Sequence, residues 1–260
     1  MQQAALKTMT RNTDIKLGHF IIEFTTPGIG HLLKSADCDY VFFDMEHAGF
    51  SFETLKNSVR LFEAANVPMI VRVPSQDYAQ LARACDVGAE GLMVPMVNNA
   101  EEARAVVSHI KYHPEGKRGV ALGIAHDNFT TTSMPVAERM QASNERTTLF
   151  CLIETEEGAE NAEAIAAVEG VDCIWIGHFD LSTSLGIPGE FEHPTYVAAV
   201  ERIEAAAKKH NRSLGRLVAT TDEGIALYKK GYDFCCYSGD VWVFQQALAS
   251  AIGQLRAGCT

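Results

Sequence analysis

Two acids, an imidazole and a guanidinium are the side chains of this sequence best suited to chemistry. Glu154 follows an apolar run at 149–153, and Asp180 stands just beyond the apolar run at 173–176. If these runs are neighbouring parallel strands they lie about 4.8 Å apart, and the two acids share one rim. Two carboxylates so placed repel each other unless a positive charge lies between them. A divalent cation such as Mg²⁺ or Mn²⁺ suits the pair, with water or substrate oxygens completing its shell. Capping of the following helix is the plainer role for either acid alone.

The stretch Tyr40-Val41-Phe42-Phe43-Asp44-Met45-Glu46-His47 runs from a buried strand into two acids and a histidine. His47 is the best general-base candidate, because an imidazole titrates at about pH 6.5 and accepts a proton at neutrality. Other histidines, such as His109, His193 and His210, fall in helical or loop patterns. Arg72 ends another apolar run. A guanidinium there can stabilise an enolate, bind a carboxylate, or pair with Asp44 or Glu46. Asp86 follows a helical pattern and precedes Gly88, at the unfavourable end of a helix dipole. A hydrogen bond to His47 would justify it; a solvated turn is the alternative.

Eight apolar runs alternate with helical patterns and must position these residues. The runs are 17–24, 39–44, 67–73, 90–96, 149–153, 173–176, 212–219 and 233–237. The intervening helices are expected at 25–35, 51–65, 76–85, 98–110, 156–168, 193–210 and 221–230, with a last one from 241 onward. Ser51 is an N-cap, and Gly88 stops the helix before it. Unalternating strands with short helical connections predict an α/β fold, a (β/α)8 TIM barrel. A doubly wound open sheet is the competitor, but no GxGxxG follows the first strand. The segment 111–148 exceeds a minimal connection and holds one short helix, 135–142. Loops of that length tend to be functional, and this one is expected to cover the mouth or reach a second subunit.

The 260 residues suit a single barrel domain, 1–260, and 47% hydrophobic residues can fill its core. A net charge of −11 argues against nucleic acid or an anionic membrane as partner. Residues 1–14 are polar and lack the apolar core of a secretory signal, and no apolar run is long enough to span a bilayer. The seven cysteines form no CxxC pair, so free thiols in a reducing cytoplasm are expected.

These residues resemble the HpcH/HpaI aldolases, metal-dependent class II pyruvate aldolases. Asp44-Met45-Glu46-His47-Ala48 is similar to that family's D-x-E-H-A signature, and Val71-Arg72-Val73 to its arginine strand. Asp86-Val87-Gly88-Ala89, Val94-Pro95-Met96-Val97 and Pro114-Glu115-Gly116-Lys117-Arg118-Gly119 resemble three further segments. Gly177-His178-Phe179-Asp180-Leu181-Ser182 is similar to G-P-x-D-L-S. The motifs occur in order over most of the chain.

The resemblance implies Mg²⁺, Mn²⁺ or Co²⁺ held by Glu154 and Asp180, with no organic cofactor. It implies reversible cleavage of a 4-hydroxy-2-oxo acid to pyruvate and an aldehyde through a metal-bound enolate. Oxaloacetate decarboxylation, or an enolate addition of the macrophomate-synthase kind, is the alternative on the same residues. His47 assisted by Asp86 would manage the proton, and Arg72 would stabilise the enolate. The substrate wall is expected from Asp44, Gly177, His178, Phe179 and Leu217, with backbone amides near Phe179 on the carboxylate. The partners implied are small molecules and further copies of the chain, as a hexamer or trimer with C-terminal helices exchanged. Three positions depart from the family pattern: Leu152 replaces a glutamine, His178 a proline, and Phe179 a small residue. They enlarge one wall and change its polarity.

Overall fold

Parallel strands pair in sequence order, and the last closes on the first to make a barrel of eight. The computed structural model describes residues 5–259; residues 1–4, part of the polar N-terminal stretch, and residue 260 lie outside the described residues. In chain order the elements are α1 (Ala5–Met9), β1 (Lys16–Ile21), α2 (Ile29–Ser35), β2 (Tyr40–Asp44), α3 (Phe52–Ala64) and β3 (Met69–Arg72). Next come α4 (Tyr78–Asp86), β4 (Gly91–Val94), α5 (Ala100–Ile110), α6 (Val136–Arg146), β5 (Thr148–Ile153), α7 (Glu156–Glu160) and α8 (Ala162–Ala166). The rest are β6 (Cys173–Ile176), α9 (His178–Ser184), α10 (Pro194–Lys209), β7 (Ser213–Val218), α11 (Thr221–Lys230), β8 (Phe234–Gly239) and α12 (Asp240–Gly258).

The strands are continuous apolar runs because both of their faces are buried. One face packs against the surrounding helices, as Val41, Phe43, Val71 and Ile153 do. The other fills the barrel, where Phe42, Ile70, Phe150, Leu152 and Trp175 meet. Leu6 of α1 plugs the lower end and is fully buried. Its amide donates to Glu90 Oε1 at 2.7 Å, and Lys7 pairs with Asp172 at 2.6 Å.

Several boundaries differ from the expectations, each for a local reason. β1 stops at Ile21 because the next three amides, of Ile22, Glu23 and Phe24, donate to the Asp240 carboxylate. The expected helix over 156–168 is two short ones that meet at Asn161. A further helix, α9, follows β6 at a stretch to which the sequence assigned no element. Ser51 caps α3 as expected, its Oγ accepting from the Thr54 amide at 3.2 Å. α4 ends at Asp86, and Gly88 takes a φ of +113°, which a side chain resists.

The segment 111–148 does not cover the mouth. It leads from α5 back to β5, so it lies at the N-terminal end of the barrel. There Lys111 Nζ donates to the carbonyls of Asn144 and Thr147, and Arg118 pairs with Asp86.

Beyond its first turn the final helix does not cover its own barrel. Leu17 on β1 is 49% exposed and Tyr237 on β8 is 40% exposed. On α12 itself Phe244, Leu248, Ile252 and Leu255 all stand exposed. Among the described residues no helix is long and apolar enough to cross a membrane.

Candidate active site

A cavity of about 360 Å³ opens at the C-terminal ends of the strands, where barrel enzymes keep their chemistry. His47, Arg72, Glu154 and Asp180 line it together. Gly177, His178, Phe179 and Leu217 contribute to its wall, as expected.

Glu154 follows β5 and is 3% exposed. Its Oε1 accepts from the Met96 amide at 2.8 Å. Burial pushes its pKa up to about 7, with Glu46 and Asp180 adding to the rise and Arg72 and the Met96 amide opposing it. A Cβ on Gly177 would stand 2.6 Å from both Cβ and Oε2 of Glu154, so only glycine admits this carboxylate beside β6. Asp180 lies in the first turn of α9 and is exposed.

Arg72 ends β3 directly beside Asp44 of β2, its partner in register. Its Nε and Nη2 donate to the two oxygens of Asp44 at 2.8 and 2.9 Å. Nη1 lies 3.2 Å from Glu46 Oε2, and the rings of Phe20 and Phe42 flank the guanidinium. Burial disfavours the charge, but Asp44, Glu46 and Glu154 outweigh it and raise the pKa further. The group stays protonated at any physiological pH. Burial raises the Glu46 pKa too, although Arg72 and His47 pull it down.

Asp44 is fully buried and does not line the cavity. Its oxygens also accept from the amides of Glu46 and His47. The expected substrate contact is therefore corrected: Asp44 orients Arg72 and the turn that carries His47. The His47 ring is exposed and stands 3.9 Å from Glu46 Oε2.

The expected pairing of His47 with Asp86 is not made within the chain. Asp86 ends a helix, and helices of this barrel end at the face opposite the mouth. Its carboxylate instead meets Arg118 Nη2 at 2.5 Å.

His178 packs between Phe179 and Phe191, with ring centroids 4.5 and 5.4 Å away. Burial, and then the positive Arg216, pushes its pKa down to about 4. The ring is neutral at physiological pH.

Several cavity residues went unnoticed in the sequence. Phe20, Phe42, Met93, Trp175 and Trp242 line it. Phe42 stands two residues before Asp44, so strand alternation was the signal that would have found it. Among the described residues no three His, Cys, Asp or Glu side chains form a ready-made metal cage. Glu154 and Asp180 are the two carboxylates among the cavity's lining residues.

A family model described as HpcH/HpaI aldolase/citrate lyase matches residues 24–247. The 5-keto-4-deoxy-D-glucarate aldolase of Klebsiella pneumoniae is 33% identical over 216 residues, covering 83% of each chain. The hydroxypyruvate/pyruvate aldolase of Chromohalobacter salexigens is 30% identical over 233 residues, 90% of this chain and 91% of its own. The solved HpcH/HpaI aldolase of Desulfitobacterium hafniense superposes with a TM-score of 0.90, at 31% identity and 96% coverage of each chain.

Proposed function

The chain belongs to the HpcH/HpaI aldolase/citrate lyase family, and from that premise we propose that it is a carbon–carbon lyase that cleaves a 4-hydroxy-2-oxo acid to pyruvate and an aldehyde. The observation that carries this reading is the meeting of Glu154, Asp180, Arg72 and His47 at one cavity.

Glu154 and Asp180 would hold Mg²⁺, Mn²⁺ or Co²⁺, all of which accept carboxylate oxygens. The fit rests on the acids themselves. Glu154 is buried, its pKa is raised, and Glu46 and Asp180 stand near enough to raise it further. Such a cluster is relieved by a positive charge. Gly177 leaves Glu154 Oε2 the room it needs. When bound, the cation would supply Lewis acidity that draws electron density from the 2-oxo acid as the C–C bond breaks.

The chain's own groups account for the remaining steps. The first amides of a helix have no intrahelical partner, and in α9 these belong to His178, Phe179 and Asp180. They would bind the pyruvate carboxylate. His47 would take the proton of the 4-hydroxyl, directly or through one water, as the C3–C4 bond breaks. The C4 oxygen keeps its bonding pair and becomes the aldehyde carbonyl. The C3–C4 electrons pass to the pyruvate enolate, and Arg72 stabilises the charge on its oxygen. Protonation at C3 completes pyruvate.

Asp86 reaches His47 only from another copy of the chain. That requirement accords with an oligomer in which α12 covers a neighbour's β1 and β8. The uncovered Leu17 and Tyr237, and the exposed apolar face of α12, support the same assembly.

The test is pyruvate release from 4-hydroxy-2-oxo acids, compared with carbon dioxide release from oxaloacetate under the same conditions. The expected result is a higher kcat/KM for the hydroxy acids. A preference for oxaloacetate would favour decarboxylation on the same site.

A further inference from the structure

Glu154, Asp180 and Arg72 are the charged side chains of the cavity assigned to the pyruvate half. The rest of the cavity is of a different character. Phe20, Phe42, Leu152, Trp175 and Leu217 form its floor and walls. Two aromatic side chains flank the opening, Phe179 at 61% exposure and Trp242 at 40%. Phe179 is propped by His178 and by Phe191, whose ring centroid lies 5.3 Å away. Trp242 is stacked on Phe20, with centroids 5.9 Å apart. Both rings are thus held out towards water by their neighbours, and covering them with an apolar group is favourable.

The charges select against the opposite kind of ligand. Among the described residues, Arg72 is the only lysine or arginine that lines this cavity, and Asp44 and Glu46 already engage it. A carboxylate at the far end of the substrate would find no cation of its own among the side chains that this chain places around the cavity. It would lie against the apolar walls of Phe20, Phe42, Leu152, Trp175 and Leu217. Such a charge is disfavoured by desolvation.

We infer that the aldehyde half of the substrate is uncharged and apolar, a branched aliphatic or aromatic aldehyde, selected by the wall of Leu152, Phe179 and Trp242. The inference rests on the pyruvate-aldolase reading and names the substrate class of that site. In the synthetic direction the pyruvate methyl group loses a proton, and the electron pair of that C–H bond forms the new bond to the aldehyde carbon. The carbonyl π pair takes a proton and becomes the 4-hydroxyl, so nothing is oxidised or reduced.

The test uses the full-length protein supplied with Mn²⁺ and has two arms. Exchange of the pyruvate methyl protons in D₂O, followed by proton NMR, needs no aldehyde and reads enolate formation alone. Condensation of pyruvate with 3-methylbutanal is then compared with condensation with succinic semialdehyde, whose chain is similar in length but ends in a carboxylate. Exchange is expected, together with a kcat/KM at least tenfold higher for 3-methylbutanal. Phe179→Ala, at an exposed position where folding tolerates the change, should narrow that ratio. Both tryptophans of the chain line the cavity, so quenching of their fluorescence by 3-methylbutanal, but not by succinic semialdehyde, reads binding without turnover. Exchange accompanied by equal or better use of succinic semialdehyde would overturn the inference while leaving the aldolase reading intact. Absence of exchange would overturn that reading and the inference with it.

Discussion

Asp44 grips Arg72 through two parallel hydrogen bonds, Nε to Oδ1 at 2.8 Å and Nη2 to Oδ2 at 2.9 Å. The acid is fully buried, and the guanidinium keeps only 11% of its side chain exposed. Asp44 also accepts the amides of Glu46 and His47, so one carboxylate sets both the guanidinium and the turn carrying His47. Asp44→Asn removes the compensating charge from a buried arginine. Breaking such a pair costs about 3–5 kcal/mol. The expected outcome is a loss of that order in denaturant unfolding, with kcat/KM lowered by roughly 100-fold or more. Wild-type kinetics in a folded Asp44→Asn protein would remove this role.

Gly177 and Glu154 form a second coupled pair. A methyl group on Gly177 would collide with the Glu154 carboxylate, which the Met96 amide holds from its other side. Gly177→Ala should displace Glu154 and weaken Mn²⁺ binding by about tenfold or more, the range seen when supports of metal ligands are lost. Calorimetric titration measures it. Unchanged affinity would separate Glu154 from the metal.

Lys111 offers a test of pH dependence away from the site. It is 2% exposed, and burial lowers its pKa from 10.5 to about 8. Between pH 8 and 10.5 the unfolded chain therefore binds more protons than the folded one, and stability rises with pH. Below pH 8 the cost of burying the ammonium is fully present. Lys111→Met removes this dependence. The wild type should gain on the order of 3 kcal/mol relative to the variant across that window, measured by urea unfolding. Parallel stability curves for the two proteins would contradict the assignment.

The exposed apolar face of α12 predicts self-association. Leu248→Glu with Ile252→Glu places charge on that face without touching the barrel. Light scattering after gel filtration should then report a smaller assembly than the wild type, because residues 50% and 43% exposed in one chain would be buried between copies. An unchanged mass would exclude this helix from the contact.

Strand ends and the acids upon them were legible because parallel strands are apolar throughout, so the first polar residue after each run marks the rim. Glu154 and Arg72 were found in that way, and His47 by its place three residues beyond Asp44. The barrel interior was harder to read. Phe42 and Trp175 lie in strands with no polar alternation; only the two-residue step back from Asp44 marks Phe42 as inward-facing, and the run around Trp175 carries no such marker. Helix α9 is seven residues long and has no side-chain cap, so it leaves little periodic signal. Asp240 was passed over because its partners, the amides of Ile22, Glu23 and Phe24, lie more than 200 positions away in the chain. The position of Asp86 was hard to read for a different reason. Connectivity alone puts a helix end at the lower face, away from His47, and the pairing assumed for it needs a second chain.

Pyruvate release at Glu154 and Asp180 is proposed to depend on a divalent cation. Its most direct measurement is pyruvate release from a 4-hydroxy-2-oxo acid by protein in excess EDTA, before and after Mn²⁺ is returned, alongside Glu154→Gln. Turnover should fall to background in the chelator and recover with Mn²⁺ in the wild type but not in the variant. Unimpaired turnover in excess EDTA, with activity retained by Glu154→Gln, would contradict it.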